Sequence, residues 1–191
     1  MFPDGKIRGL RLNNPIPLDE QRIIFPVNGA RLLELGNKRN SIGVYKHYFE
    51  SLGIDHTSID WNGEDGALKL DLRKPITLEP FDMVTNMGTT EHVSDQAAVW
   101  RNIHNLTKVG GYIASQTPLE GDWWWHGEYY PRPEFFHNFA EDNGYEIEIL
   151  EVGREYPNRN LYCRMKKIGH WDFVMPPKDT IYFNKIRPRV S

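Results

Sequence analysis

The chain has 191 residues, 39% of them hydrophobic and 13% aromatic, enough to bury the core of one domain and too many for a disordered chain. Its formal net charge of −3 gives no general attraction to phosphate backbones and argues against a nucleic-acid surface. Cys163 is the single cysteine, which excludes an intramolecular disulfide and a cysteine-based metal cluster.

Residues 1–29 are rich in Pro, Gly and Asn and read as an irregular N-terminal arm that covers a sheet edge or a pocket mouth. The first residues lack the apolar core of a secretory signal, and no run approaches the length of a membrane span, so a cytoplasmic protein away from membranes is the default. Leu32, Leu33 and Leu35 form a short apolar run that fits a fully buried parallel strand over 30–35, ending on Glu34 and Gly36. Ser41 is placed to cap a helix whose core face is Val44, Tyr45, Tyr48, Phe49 and Leu52, stopped at Gly53. Residues 56–61 read as a second strand with Asp60 at its carboxyl end, 67–70 as a short third strand followed by Asp71 and Leu72, and 81–87 as a fourth. The connections on either side of the third strand are too short for full helices. A helix follows from about Ser94 to Thr107, then a fifth strand over 110–117, a long aromatic loop over 118–131, and a helix opened by Pro133 and closed by Gly144. Residues 145–150 and 160–166 complete the strands, and a C-terminal tail over 168–191 packs on the domain formed by 30–167.

Strand, glycine turn and helix form the first unit of a doubly wound α/β sheet, in which ligands sit beyond the carboxyl ends of the strands. Those ends carry Glu34 and Gly36, then Asp60, then Asp71, then Asn86 to Gly88. A carboxylate ending the second strand suits the two hydroxyls of a ribose, and a polar end on the third can meet an adenine edge.

Glu34-Leu35-Gly36, Ser58-Ile59-Asp60, Asp71-Leu72, the run 81–87, Glu91-His92-Val93 and the run 108–113 together resemble the class I S-adenosylmethionine-dependent methyltransferases, in their small-molecule branch. The resemblance spans residues 30–167. It implies a Rossmann-like, mostly parallel seven-stranded sheet with the last strand antiparallel, here with trimmed helices. It implies S-adenosyl-L-methionine as cofactor, held by Glu34, Leu35, Gly36, Asn37 and Lys38 at the methionine end, Asp60 with Trp61 beside it at the ribose, Asp71 or Leu72 at adenine, and Asn86 and Met87 at the sulfonium. The family loop usually carries two further glycines, where this chain has Lys38 and Asn40. That disfavours a dinucleotide, whose pyrophosphate needs close backbone approach, more than a sulfonium cofactor without phosphate, whose carboxylate Lys38 or Arg39 can pair.

Methyl transfer from a sulfonium needs position and a dry pocket; an alcohol or phenol acceptor also needs its proton removed. His126 is the candidate general base, with His92 and Glu91 as further catalytic candidates. Trp124, Trp125, Tyr129 and Tyr130, in the loop after the fifth strand, are candidate walls for a hydroxylated or sugar-like small molecule, since indole faces favour such rings. Some of the resembling O-methyltransferases hold a divalent metal with a Glu-x-x-Glu-His run; here its first position is Gly88, so no metal is expected. Exposed aromatics are compatible with a homodimer. The competing readings are a non-catalytic scaffold with this fold and, needing a basic face that only Lys185, Arg187 and Arg189 offer, an RNA methyltransferase.

Overall fold

A computed structural model describes residues 18–24, 29–37, 39, 40, 43–124, 126–154 and 158–184. Lys38, Ser41, Trp125, Lys185, Arg187 and Arg189, all named above, lie outside the described residues.

The strands are β1 (Arg31–Leu35), the two-residue β2 (Arg39–Asn40) and β3 (Gly43–Val44), β4 (Asp55–Asp60), β5 (Leu68–Lys69), β6 (Phe81–Met87), β7 (Thr107–Pro118), β8 (Tyr129–Pro131), β9 (Tyr145–Val152), β10 (Asn160–Lys167) and β11 (Ile181–Phe183). The helices are α1 (Leu18–Ile23), α2 (Tyr45–Ser51), α3 (Gln96–Leu106) and α4 (Pro133–Asn143). Seven strands form one sheet in the order β5-β4-β1-β6-β7-β10-β9. The pairs β1–β4, β1–β6, β4–β5 and β6–β7 are parallel, whereas β10 runs antiparallel to both β7 and β9. The expected seven-stranded, mostly parallel sheet with an antiparallel last strand is therefore present. The chain reverses between β1 and β6, on opposite sides of which the connections leave, and this creates the crevice at their carboxyl ends.

Each face of the sheet is covered by a different pair of helices. Leu33, Leu35, Ile59, Val84, Ile113, Leu161, Cys163 and Met165 meet α3 and α4 through Val99, Trp100, Ile103, Leu106, Phe135, Phe136 and Phe139. Trp100 is fully buried, with ring centroids of Phe135, Phe139 and Phe136 at 4.8, 5.5 and 5.9 Å, and its indole N–H donates to Gln96 Oε1 at 3.2 Å. Such aromatic pairs add about 0.5–1.5 kcal/mol each beyond their buried area. The other face, with Leu32, Met83, Met87, Ala114 and Tyr162, meets Tyr45 and Phe49 of α2 and Ile23 and Ile24 at the end of α1.

One local expectation changes. The helix after β1 begins at Tyr45, because Gly43 and Val44 before it are strand, with Val44 paired to Arg39 and Gly43 to Asn40. The cap of α3 is Asp95, whose Oδ1 accepts from the Ala98 N–H at 2.9 Å. The trimmed connections are as expected: β4 to β5 holds one 3₁₀ turn, Glu64–Gly66, and β5 to β6 holds no helix.

Candidate functional site

A cleft of about 860 Å³ opens at the carboxyl ends of β1, β4, β5 and β6. Gly36 and Asn37 line it after β1, Asp60 and Trp61 after β4, Asp71 and Leu72 after β5, and Met87, Gly88, Thr89 and His92 after β6.

Gly36 is required by two constraints. Its φ is +67°, and a Cβ there would sit 2.3 Å from Thr89 Oγ1. The Thr89 hydroxyl donates to the Leu35 carbonyl at 2.6 Å and so closes the β6 turn onto the β1 turn. Asp60 fastens the neighbouring turns: Oδ2 accepts from the Asn37 N–H at 3.2 Å and Oδ1 from the Asn62 N–H at 3.0 Å. A carboxylate offers about four lone-pair sites, so Asp60 retains acceptor capacity toward the cleft. Trp61 beside it presents an indole 80% exposed, which leaves a face free for stacking.

Asp71 lines the cleft, but its carboxylate is taken by Arg73. Nε and Nη2 of Arg73 donate to it at 2.9 Å each, and the Arg73 N–H donates to Oδ1 at 2.9 Å. The hydrogen bonds from Arg73 hold the Asp71 carboxyl down at about 2.

Three expected cofactor contacts are placed elsewhere. Glu34 is fully buried and does not line the cleft. The two-residue period of a strand sends Leu33 and Leu35 to the α3 face and Glu34 to the α2 face, where its Oε2 meets His56 Nε2 at 2.9 Å. Leu35 is likewise fully buried, in the core. Asn86 spends its amide on the turn after β6: Nδ2 donates to Thr90 Oγ1 and Ser115 Oγ, both at 2.9 Å, and Oδ1 accepts from the N–H groups of Thr89 and Thr90. Met87 alone of that pair lines the cleft.

The three catalytic candidates come together beside the cleft. Glu91, on the 3₁₀ turn Thr90–His92, is fully buried. His126 Nε2 lies 3.5 Å and His92 Nε2 3.9 Å from Glu91 Oε1, and the two imidazoles meet edge to face with centroids 4.9 Å apart. Gly127 permits this approach, since a Cβ there would lie 2.6 Å from Glu91 Cγ. The Glu128 N–H donates to the Glu91 carbonyl at 2.7 Å.

Of the expected substrate walls, the described Trp124, Tyr129 and Tyr130 do not line the cleft. Trp124 is 71% exposed, and Tyr129 packs on Phe183 with centroids 5.4 Å apart. Tyr130 is fully buried; its hydroxyl donates to the His126 carbonyl, and burial pushes its pKa up to about 12. Tyr130 thus holds the loop that presents His126. Asn184 Nδ2 donates to the same carbonyl at 3.2 Å, and Trp123 packs on His126 with centroids 4.8 Å apart. Neither Asn184 nor Trp123 was singled out by sequence; the only signal for Trp123 was its place in the Trp run.

No protein-family model matches the sequence, and no curated protein is similar to it. Solved structures are similar in fold. A Mesorhizobium loti S-adenosylmethionine-dependent methyltransferase matches at TM-score 0.58 and 15% identity, over 77% of this chain and 95% of that one. The Burkholderia thailandensis 1,6-didemethyltoxoflavin-N1-methyltransferase, solved with its acceptor and S-adenosylhomocysteine bound, matches at 0.57 and 14%, over 74% and 72%. A TehB-like methyltransferase from Corynebacterium glutamicum matches at 0.55 and 20%, over 78% and 86%. The strand order, the crevice at the carboxyl ends and these matches agree: the chain has the class I S-adenosylmethionine-dependent methyltransferase fold.

Proposed function

We propose that this protein is an S-adenosylmethionine-dependent methyltransferase that methylates an oxygen of a small, hydroxylated acceptor. The observation that carries the reading is the cleft itself, in which Gly36, Asp60, Trp61 and Met87 stand around one opening at the ends of three adjacent strands. In this reading Asp60 accepts from the ribose hydroxyls, Trp61 and Leu72 flank the adenine, and Asn37 and Met87 border the methionine and sulfonium. The acceptor lies toward His92, with the Glu91–His92–His126 cluster receiving its hydroxyl and promoting the loss of its proton. The rest of catalysis is position: the sulfonium is already activated, and the oxygen must be held in line with the methyl carbon. Net charge argues against nucleic acid as the acceptor. Among the described residues no helix is long and apolar enough to cross a membrane.

The test is transfer of a labelled methyl group from S-adenosylmethionine to the small-molecule fraction of a cell extract. Wild type is expected to label a non-protein compound, and Asp60→Ala to do so at least 10-fold more slowly. No labelling by a wild-type protein that still binds the cofactor would favour the scaffold reading.

A further inference from the structure

We propose that Glu91, His92 and His126 hold a divalent first-row transition-metal ion at the mouth of the cleft. This revises the expectation, drawn from Gly88, that no metal binds.

The first reason is the state of Glu91. It is fully buried, yet neither carboxylate oxygen has a hydrogen-bond partner. A buried carboxylate without a donor or a cation is costly, and proteins avoid it. The same chain shows how it pairs a buried carboxylate with an imidazole when nothing lies between: Glu34 and His56 meet at 2.9 Å. At Glu91 both imidazole nitrogens stop short, at 3.5 and 3.9 Å, beyond hydrogen-bond length.

The second reason is convergence. One donor atom from each residue lies within 4.8 Å of the others. An ion with bonds of about 2.0–2.1 Å in tetrahedral geometry draws its donors to about 3.3 Å apart, a shift of about 1 Å for imidazoles whose side chains are 51% and 41% exposed. The backbone is already set for it. Gly127 lets the loop lie flush on Glu91, while Tyr130 and Asn184 hold the His126 carbonyl.

The donor set selects the ion. Two imidazoles and one carboxylate suit Zn²⁺, Co²⁺ or Mn²⁺, whereas Mg²⁺ and Ca²⁺ prefer oxygen throughout. Three protein ligands leave a position open, as catalytic centres do. The glycine at 88 keeps that side clear: a Cβ there would lie 3.3 Å from Glu91 Oε1, and Gly88 and His92 both line the cleft. The open position therefore faces the acceptor. Given the methyl transfer proposed above, on which this part rests, coordination lowers the pKa of the acceptor hydroxyl. Its proton passes to water. The oxygen forms a bond to the methyl carbon as the carbon–sulfur bond breaks, and the electron pair stays on sulfur, leaving a thioether.

The test uses the full chain, without a histidine tag and stripped by a chelator, titrated with Zn²⁺ by calorimetry in the absence of cofactor. One equivalent is expected to bind and to raise the melting temperature, and Mg²⁺ is expected to give no saturable heat. Glu91→Gln and His126→Ala are each expected to weaken Zn²⁺ at least 100-fold. Glu91→Gln is also expected to melt higher than wild type when both are metal-free, because it removes a buried charge; this shows that the variant folds. No saturable Zn²⁺ binding by wild type, or equal binding by the Glu91→Gln/His126→Ala double variant, overturns the proposal. S-adenosylhomocysteine titrated into the same samples separates the two readings: cofactor without metal removes this one, and metal without cofactor removes the methyl donor.

Discussion

Glu34 and His56 form a pair buried between β1 and β4, with Oε2 and Nε2 2.9 Å apart and Phe49 stacked on the imidazole at a centroid distance of 5.4 Å. It sits on the α2 face, away from the cleft. Removing one member of such a pair leaves a buried polar atom of the other without its partner, at a cost of about 1–3 kcal/mol. Glu34→Ala is therefore expected to lose stability in that range by urea denaturation, and Glu34→Gln, which can keep a hydrogen bond, about 1–2 kcal/mol. Folded Glu34→Gln should bind S-adenosylhomocysteine within about threefold of wild type, since each tenfold in affinity needs about 1.4 kcal/mol. A tenfold loss in calorimetry would return Glu34 to the cofactor.

Gly36 and Thr89 make a second, opposite kind of contact, one with no room to spare. Gly36→Ala forces a side chain into left-handed backbone and against Thr89 Oγ1, so a loss of about 2–4 kcal/mol is expected in thermal or urea melts. In a Thr89→Ala background the overlap with Oγ1 disappears, leaving the backbone strain and a 3.3 Å approach to the Cβ of residue 89. The same substitution should then cost about 1–2 kcal/mol. Equal costs in the two backgrounds would show that the overlap is not what excludes a side chain.

The loop that carries His126 is clasped by Asp122 and Arg159. Nε of Arg159 donates to Oδ2 at 2.6 Å and Nη2 to Oδ1 at 3.1 Å, while Trp123 donates its indole N–H to the Arg159 carbonyl at 2.7 Å. The Arg159 hydrogen bonds hold the Asp122 carboxyl below the usual range. The freed carboxyl titrates near about 3.9, so between that value and the lower folded one the unclasped state binds more protons. The clasp's contribution is complete above that window and fades as pH falls through it. Trp123 fluorescence in wild type should hold steady down to about pH 4 and change below it. Asp122→Asn should show the changed signal already at neutral pH, with Trp123→Phe as the control. A wild-type signal that changes instead between pH 5 and 7 would place the titration on another group.

The parallel strands were legible because their apolar runs are contiguous and each ends on its own turn residues, as Leu32 to Gly36 and Ile59 to Asn62 do. Asp60 was legible for the same reason, since its bonds go to the backbone of the turn it starts and the turn beside it. Strand alternation between Leu33 and Leu35 already pointed Glu34 away from the α3 face. The capture of Asp71 by Arg73, two residues on, was also within local reach. The loop over 118–131 was not legible. Tyr130 reads as a wall until Asn184 and the His126 carbonyl are seen around it, and the burial of Glu91 depends on Gly127. Asn86 is saturated through Ser115 on the neighbouring strand. Long-range partners of this kind leave no periodic trace in a sequence.

The central claim is that the cleft at the ends of β1, β4 and β6 takes an adenosyl cofactor through Asp60. Calorimetry with S-adenosylhomocysteine tests it most directly, on wild type and on Asp60→Ala. One equivalent is expected to bind wild type, and Asp60→Ala to weaken it by about 10- to 100-fold, the loss for charge-assisted bonds of about 1.5–3 kcal/mol. Heat no greater than dilution with wild type, or the same affinity in Asp60→Ala, would contradict the account.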